Sequence, residues 1–362
     1  MFSFGKMIHL QVFGQSHSAM MGMVLDGFPA GIGVDEDALA AFMARRAPGN
    51  SPLSTARKEA DRVEFVSGVE NGRTTGAPIC AVIANENTRS QDYEQLRDLP
   101  RPSHADFAAF ARFGSFRDHR GGGEFSGRLT APLCVAGFLC RTLLEQRGIF
   151  VGAHISSVGG VSDDRFDPVK AGRNDLCAAA GKEFPVLNDA SGEQMREVIL
   201  AAKNDGDSVG GTVECALIGL PAGTGGTSFD GIESKLAQAL FAIPAVKGVE
   251  FGSGFAGCER RGSENNDDFT VENGRIATET NAAGGILGGL ASGMPVVFRV
   301  GVKPTPSIEK EQQSVSLSSL KEEKLSVKGR HDPCILPRVV PVVEAVTAIA
   351  AADMILTDYG VR

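Results

Sequence analysis

The chain has 362 residues, with 36 Lys and Arg against 44 Asp and Glu, a formal net charge of −8. With 42% hydrophobic and 22% charged residues it is not a disordered tail. Its acidic balance argues against a general phosphate-backbone binder, so no nucleic-acid partner is expected.

Strands are predicted near 8–13 and 21–25. Asp35 reads as the N-cap of a helix running through Arg46, with Glu36 and Asp37 at its start and Arg45 and Arg46 at its end, as the helix dipole favours. Further strands are predicted at 63–66 and 79–83. A long apolar helix is predicted over 130–146, tolerating Pro132 in its first turn and stopped by Gly148. A strand over 149–155, a helix over 193–203, a strand over 213–218, a helix over 232–241 and a strand over 295–302 follow. A last helix ends near Asp358. The order is mixed rather than a clean β-α alternation, and with many glycine loops it predicts an α+β fold with largely antiparallel sheet. Length alone allows about two domains. No boundary stands out, so residues 1–362 are read as a single domain, with a polar, exposed or mobile excursion at about 307–329.

Residues 1–10 lack the charged, apolar and small-residue pattern of a secretory leader, so a cytoplasmic location is expected. The most apolar stretch, 339–356, is interrupted by Pro341, Glu344 and Asp353. It fails the ~18-residue uncharged test for a membrane span and reads as a buried helix, with no membrane partner. The seven Cys form no C-x-x-C and match no zinc spacing. They read as reduced, mostly core residues, only Cys334 standing in a polar motif, and no metal is expected.

Two familiar patterns fail on context. Residues 252–257 fit G-x-G-x-x-G but lead into a loop-like segment rather than a helix. Residues 206–210 fit G-x-S-x-G, but helix precedes and strand follows, the reverse of a nucleophile elbow. Histidine is more informative. Four of the six His, at 17, 104, 119 and 331, stand among Gly, Ser, Arg and Asp. Imidazole titrates near neutrality and exchanges protons in both directions, so four in polar loops point to a site. Arg101, Arg112, Arg117, Arg120 and Arg128 fall within 28 residues around a triple glycine. Guanidinium groups and bare glycine amides both bind carboxylate and phosphate. Together they suggest a small polyanionic ligand in a locally positive pocket.

These segments resemble the chorismate synthase family over essentially the whole chain. The blocks are Gly14 to Ser18, Asp26 to Gly31, Arg45 to Gly49, Arg57 to Asp61, Ser67 to Val69, Thr74 to Gly76, Arg89 to Tyr93, Arg101 to Asp106 and Arg120 to Arg128. They continue through Gly206 to Gly211, Ala245 to Gly248, Ala283 to Gly289, Lys303 to Ser307 and Lys328 to Arg338. The resemblance implies a single-domain β-α-β sandwich, usually tetrameric. It also implies conversion of 5-enolpyruvylshikimate 3-phosphate to chorismate by 1,4-elimination of phosphate, with reduced FMN required and no net redox change.

Carried over by motif, His17 and His104 are the two acids, one for the departing phosphate and one for the protonation state of the flavin. Asp332 assists proton movement, with the nearby Arg330 keeping it ionised. Arg46, Arg57, Arg101 and Arg128 are expected to bind substrate. Glu124, Phe125, Ser126, Ala245, Gly288, Lys303, Pro304, Thr305, Pro306, Ser307 and Arg330 are expected to contact FMN. Gln15, Ser18, Pro52, Glu124 and Phe125 depart from the usual pattern, and Glu124 inverts a charge. No nicotinamide motif is apparent, so an external flavin reductase is the expected partner.

Overall fold

The structure is a computed structural model and describes residues 3–49, 53, 59, 61–86, 90–327 and 331–360. The first sheet has five antiparallel strands in the spatial order Ser3–Phe4, His9–Phe13, Met20–Asp26, Ile79–Ala84 and Val63–Ser67. Its two central strands alternate. Met21, Met23 and Leu25 are fully buried, as are Ile79, Ala81 and Ile83, while Met20 and Asp26 face out. With a side-chain period of two, that alternation fixes the register and leaves one face apolar.

The second sheet is also antiparallel throughout. Its order is Val246–Phe251, Val296–Val302, Gly211–Ile218, Phe150–Val158 and Val161–Ser162. Here the strand at 150–158 is buried almost throughout, because both of its faces are covered. The C-terminal helix lies on one, and the unpredicted helix Arg173–Ala180 packs against the same strand.

Two helices fill the space between the sheets. Thr130–Glu145 packs on the first sheet through the strands at 20–26 and 79–84, and Leu336–Tyr359 packs on the second through those at 150–158 and 211–218. The helices pack on each other, completing a β-α-β sandwich. Their close approach needs Gly137, where a Cβ would come 2.3 Å from that of Ala345. By length and composition alone Gly127–Glu145 and Leu336–Tyr359 could each cross a bilayer, although Glu344 and Asp353 interrupt the second, and the buried-helix expectation for 339–356 holds. Every residue of the most apolar window of Leu336–Tyr359 is nonetheless buried inside the protein. An all-round apolar helix of this kind is a core element.

Asp35 caps the helix Glu36–Arg46 as predicted, accepting from the Ala38 amide at 2.9 Å. The 307–329 stretch, expected as an exposed or mobile excursion, contains a docked hairpin, Gln312–Val315 with Glu322–Leu325. Leu325 and Val327 cluster with Leu96, and Asp98 accepts from Ser316 Oγ and the Ser318 amide. These few anchors are lost in a sequence whose other positions are mostly polar or charged. All seven cysteines are free thiols, and burial pushes those of Cys134 and Cys334 up to about 12. Cys177 and Cys258 are exposed, so Cys177 is not the core residue its apolar neighbours suggested.

Two buried carboxylates tie the C-terminal helix to its surroundings. Glu344 accepts from Arg45 Nη1 and Nη2 at 2.6 and 2.8 Å and from the Ala153 amide at 3.2 Å, with Arg141 Nη1 at 3.5 Å. Asp353 Oδ1 accepts from the amides of Lys6, Met7 and Ile8 at 2.8, 2.7 and 3.0 Å. Removing one partner of a buried ion pair strands the others, at a cost of about 3–5 kcal/mol. Glu344→Ala is expected to lose stability on that scale, read from urea midpoints at unchanged m. A loss below about 1 kcal/mol would show that the cluster contributes little.

A row of charge crosses the second sheet. His154, Glu214, Arg299 and Glu250 are register neighbours on four adjacent strands. His154 Nε2 is 3.0 Å from Glu214, Arg299 Nη1 is 3.8 Å from Glu214, and Arg299 Nε is 2.6 Å from Glu250. Asp163 meets His154 Nδ1 at 3.2 Å. Burial alone would lower the His154 pKa, but the hydrogen bonds it donates to Asp163 and Glu214 leave it raised above its ordinary value. A raised folded-state pKa stabilises fully below the unfolded value of about 6.5, and that stability fades as pH rises through the folded value. Urea midpoints should therefore fall across this window in the wild type. The fall should flatten in His154→Gln, and equal slopes in both would refute the linkage.

Candidate active site

A cleft of about 720 Å³ opens where the first turn of the C-terminal helix meets the glycine run at 121–128, the turn at 241–247 and the segment 303–307. Its floor is built first. Arg46 is 1% exposed and burial pushes its pKa down to about 10, against the opposing pull of Asp61. Arg46 Nη2 lies 3.0 Å from Asp61 Oδ2, Arg128 Nη1 meets Asp61 Oδ1, and Arg128 Nε lies 3.0 Å from Glu59. Two guanidinium groups are thus held together by two carboxylates, as buried charges require.

The glycine run positions the two histidines. Gly121, Gly122 and Gly123 all take left-handed backbone (φ 63, 110 and 55°), and Ser16 N–H donates to Gly123 O at 3.1 Å. A Cβ on Gly121 would lie 2.4 Å from His17 Cε1, and one on Gly122 would lie 3.2 Å from His104 Nε2. Adjacent residues therefore touch the two imidazoles, and only glycine allows it. His17 is 8% exposed and meets the edge of Tyr93, ring centroids 5.2 Å apart. His104 Nδ1 is 2.7 Å from Asp106 Oδ1. Its pKa lies below the ordinary value because burial, with Arg101 and Lys303, outweighs Asp106.

Each cleft arginine among the described residues is spoken for by a carboxylate: Arg46 and Arg128 as above, Arg101 by Asp106 and Arg338 by Asp332. Lys247 and Lys303 also line the cleft and have no carboxylate partner among the described residues. Burial and then Lys247 lower the Lys303 pKa, as expected for like charges sharing a pocket.

The expected site residues divide as follows. His104, Asp332, Arg46, Arg101, Arg128, Glu124, Phe125, Ser126, Ala245, Lys303, Thr305, Pro306 and Ser307 line the cleft, and His17 adjoins it through Gly121 and Tyr93. Gly288 does not line it and lies at the tip of the hairpin Ile286–Leu287 with Leu290–Ala291. Pro304 does not line it either; it packs against Gly210, where a Cβ would come 2.9 Å from Pro304 Cδ. Arg57, Arg330 and Pro52 lie outside the described residues. Within those residues, the guanidinium that pairs with Asp332 is that of Arg338, in the first turn of the C-terminal helix.

The arginine cluster splits. Arg117 donates to Leu96 O and Arg97 O, Arg120 pairs with Asp118, and Arg112 stacks on Phe113. His119 lies by Glu94 at 3.9 Å in a separate surface pocket, whereas His331 lines the main cleft. Ser208, the decoy nucleophile, donates to Thr305 O at 2.7 Å and so supports the cleft wall. Glu59, Asp61, Tyr93, Asp106, Lys247 and Arg338 were not singled out from sequence. All six stand inside blocks that were, and their pairing across the chain is what marks them.

A family model for chorismate synthase matches residues 8–356. The chain is 46% identical over 354 residues to a chorismate synthase of Dehalococcoides mccartyi (strain BAV1), covering 98% of this chain and 96% of the relative. It is 46% identical over 352 residues to one of Thermococcus gammatolerans, covering 97% of each. A solved chorismate synthase crystal structure superposes with a TM-score of 0.78 at 26% identity, covering 99% of this chain and 94% of that one. The chain is a phosphate-eliminating lyase and belongs to the chorismate synthase family.

Proposed function

We propose that this cleft carries out the 1,4-elimination of phosphate from 5-enolpyruvylshikimate 3-phosphate, giving chorismate, with reduced FMN bound alongside the substrate. The observation that carries the reading is the pair of imidazoles on successive glycines beside two lysines that have no carboxylate partner among the described residues. The substrate bears two carboxylates and a phosphate, and Lys247 and Lys303 supply positive charge that no carboxylate among the described residues pairs with. Arg46, Arg101 and Arg128 add fixed donors, already oriented by Asp61, Asp106 and Glu59.

The residues fit a flavin. Phe125, Ile243, Ile335, Val339 and Val342 form an apolar wall for a flat ring, and the lysines suit its phosphate. The C-terminal helix begins at this wall, so its partial positive charge also favours an anion. When bound, reduced FMN supplies electron density to the reacting allylic system with no net redox change. His104, held neutral near pH 7, exchanges a proton through Nε2. His17 is then the acid that protonates the departing phosphate, which leaves far better protonated. Asp332, anchored by Arg338, assists proton movement at the cleft wall. Location in the cytoplasm and assembly as a homotetramer rest on the family resemblance alone.

His17→Ala and His104→Ala are each expected to lower kcat by about 10²–10⁴-fold with the fold intact, assayed anaerobically with reduced FMN. Near wild-type turnover in both would remove the assigned roles. Phosphate release without chorismate absorbance would point to a different anionic reaction. The external-reductase part has its own test. Mixing the protein with FMN and NADPH without oxygen should leave the flavin oxidised, and rapid bleaching would show an intrinsic reductase.

A further inference from the structure

Asp106 opens the helix Asp106–Phe113 and is 3% exposed. Its Oδ2 accepts from the Arg101 amide at 3.0 Å and from Arg101 Nε at 2.8 Å. Its Oδ1 accepts from Arg101 Nη2 at 2.9 Å and faces His104 Nδ1 at 2.7 Å. Burial would raise the Asp106 pKa, but Arg101 and His104 hold it well below the usual carboxylate range. It is therefore an anion at every working pH, and an anionic carboxylate only accepts hydrogen bonds.

At 2.7 Å, Nδ1 must then carry the proton and donate it to Asp106. Arg101 Nη2, 3.2 Å from the same nitrogen, is a donor and cannot also be satisfied there. The other ring nitrogen, Nε2, faces Gly122. We infer that Asp106 is a positioning residue that locks His104 in the Nδ1–H tautomer and aims the Nε2 lone pair past Gly122 into the cleft. This rests on the proposal that His104 exchanges a proton during turnover.

The charged groups that act on His104 are Asp106 and Arg101 from its own segment and Lys303 from across the cleft. Asp106 alone favours the imidazolium. Replacing it with a neutral side chain leaves burial and two cations, so the imidazole becomes harder to protonate. An asparagine can also donate to Nδ1, which permits the wrong tautomer; where an aspartate orients a catalytic histidine in serine proteases, that exchange costs about 10⁴-fold.

The test uses the full-length protein labelled with ¹⁵N-histidine, with His104 assigned through His104→Gln. At pH 7 the wild type should show a protonated Nδ1 and a bare Nε2 at His104. Asp106→Asn should mix the tautomers, lower kcat by about 10²–10⁴-fold and move the acid limb of the kcat profile to lower pH. Asp106→Glu should recover part of the rate. Arg101→Lys should raise KM while keeping the wild-type tautomer, separating loss of the arginine clamp from loss of histidine orientation. A wild-type Nε2–H tautomer, or Asp106→Asn with unchanged tautomer and pH profile, would overturn the inference. If Asp106→Asn does not fold, the wild-type spectrum still decides it. If His104→Ala turns over normally, the proton-exchange reading falls, and the spectrum judges Asp106 separately.

Discussion

The architecture depends on burying one helix with charge inside it. From Val339 to Leu356 every residue of the C-terminal helix is buried, Glu344 and Asp353 among them. Apolar burial contributes about 1.5–3 kcal/mol for each large side chain, but it is non-directional. The carboxylates supply direction. Among the described residues Glu344 accepts from Arg45, Arg141 and the Ala153 amide, which come from three different elements. Asp353 accepts three successive amides at the edge of the first sheet. A rotation or slip of the helix would leave one of these anions without donors, so its start is fixed where Ile335, Arg338, Val339 and Val342 become cleft wall.

The net charge of −8 and an anion-binding site are compatible because the charge is compartmented. Four cleft arginines each meet a carboxylate, which makes them rigid donors of little net charge. Lys247 and Lys303 carry positive charge that no carboxylate among the described residues pairs with. An arginine held by a buried acid keeps N–H groups aimed in a fixed direction and needs no reordering when a ligand arrives. The cluster of arginines in sequence therefore overstated the local field. What it marked was the need for oriented donors.

Much of the fold was legible. Strict alternation at Met21, Met23 and Leu25, and the Asp35 cap, act through nearest neighbours and can be read from a short window. The helix Asp106–Phe113 and the docked hairpin at 312–325 were not, because their apolar contacts are few and nonlocal. The site was legible mainly through the family blocks. His17 and His104 stood out as imidazoles among small polar residues. Their partners did not, since Asp61 reaches Arg46 and Arg128 only after the chain has folded. Asp61 also takes a left-handed φ of 47°, a strain of about 1–3 kcal/mol that bridging two guanidinium groups offsets. Gly288, a family position transferred by motif, stands at a hairpin tip outside the cleft lining.

The departures at Gln15 and Ser18 make physical sense within this network. Ser18 Oγ accepts from the Gln15 amide and donates to Gln15 O and Met20 O, closing the turn that presents His17 without the usual glycine. Asn85 Nδ2 donates to Gln15 O and Ser18 O, while its Oδ1 accepts from Arg128 Nε at 3.2 Å. Arg128 shares Asp61 with Arg46, and Arg46 O accepts from Arg338 Nε at 2.9 Å, which leads to Asp332. One continuous set of polar contacts thus runs from the turn bearing His17, under the cleft, to the opposite wall. Glu124 and Phe125 line the cleft and, among the described residues, take no part in this set, so they can vary without disturbing the floor that holds the proposed proton carriers.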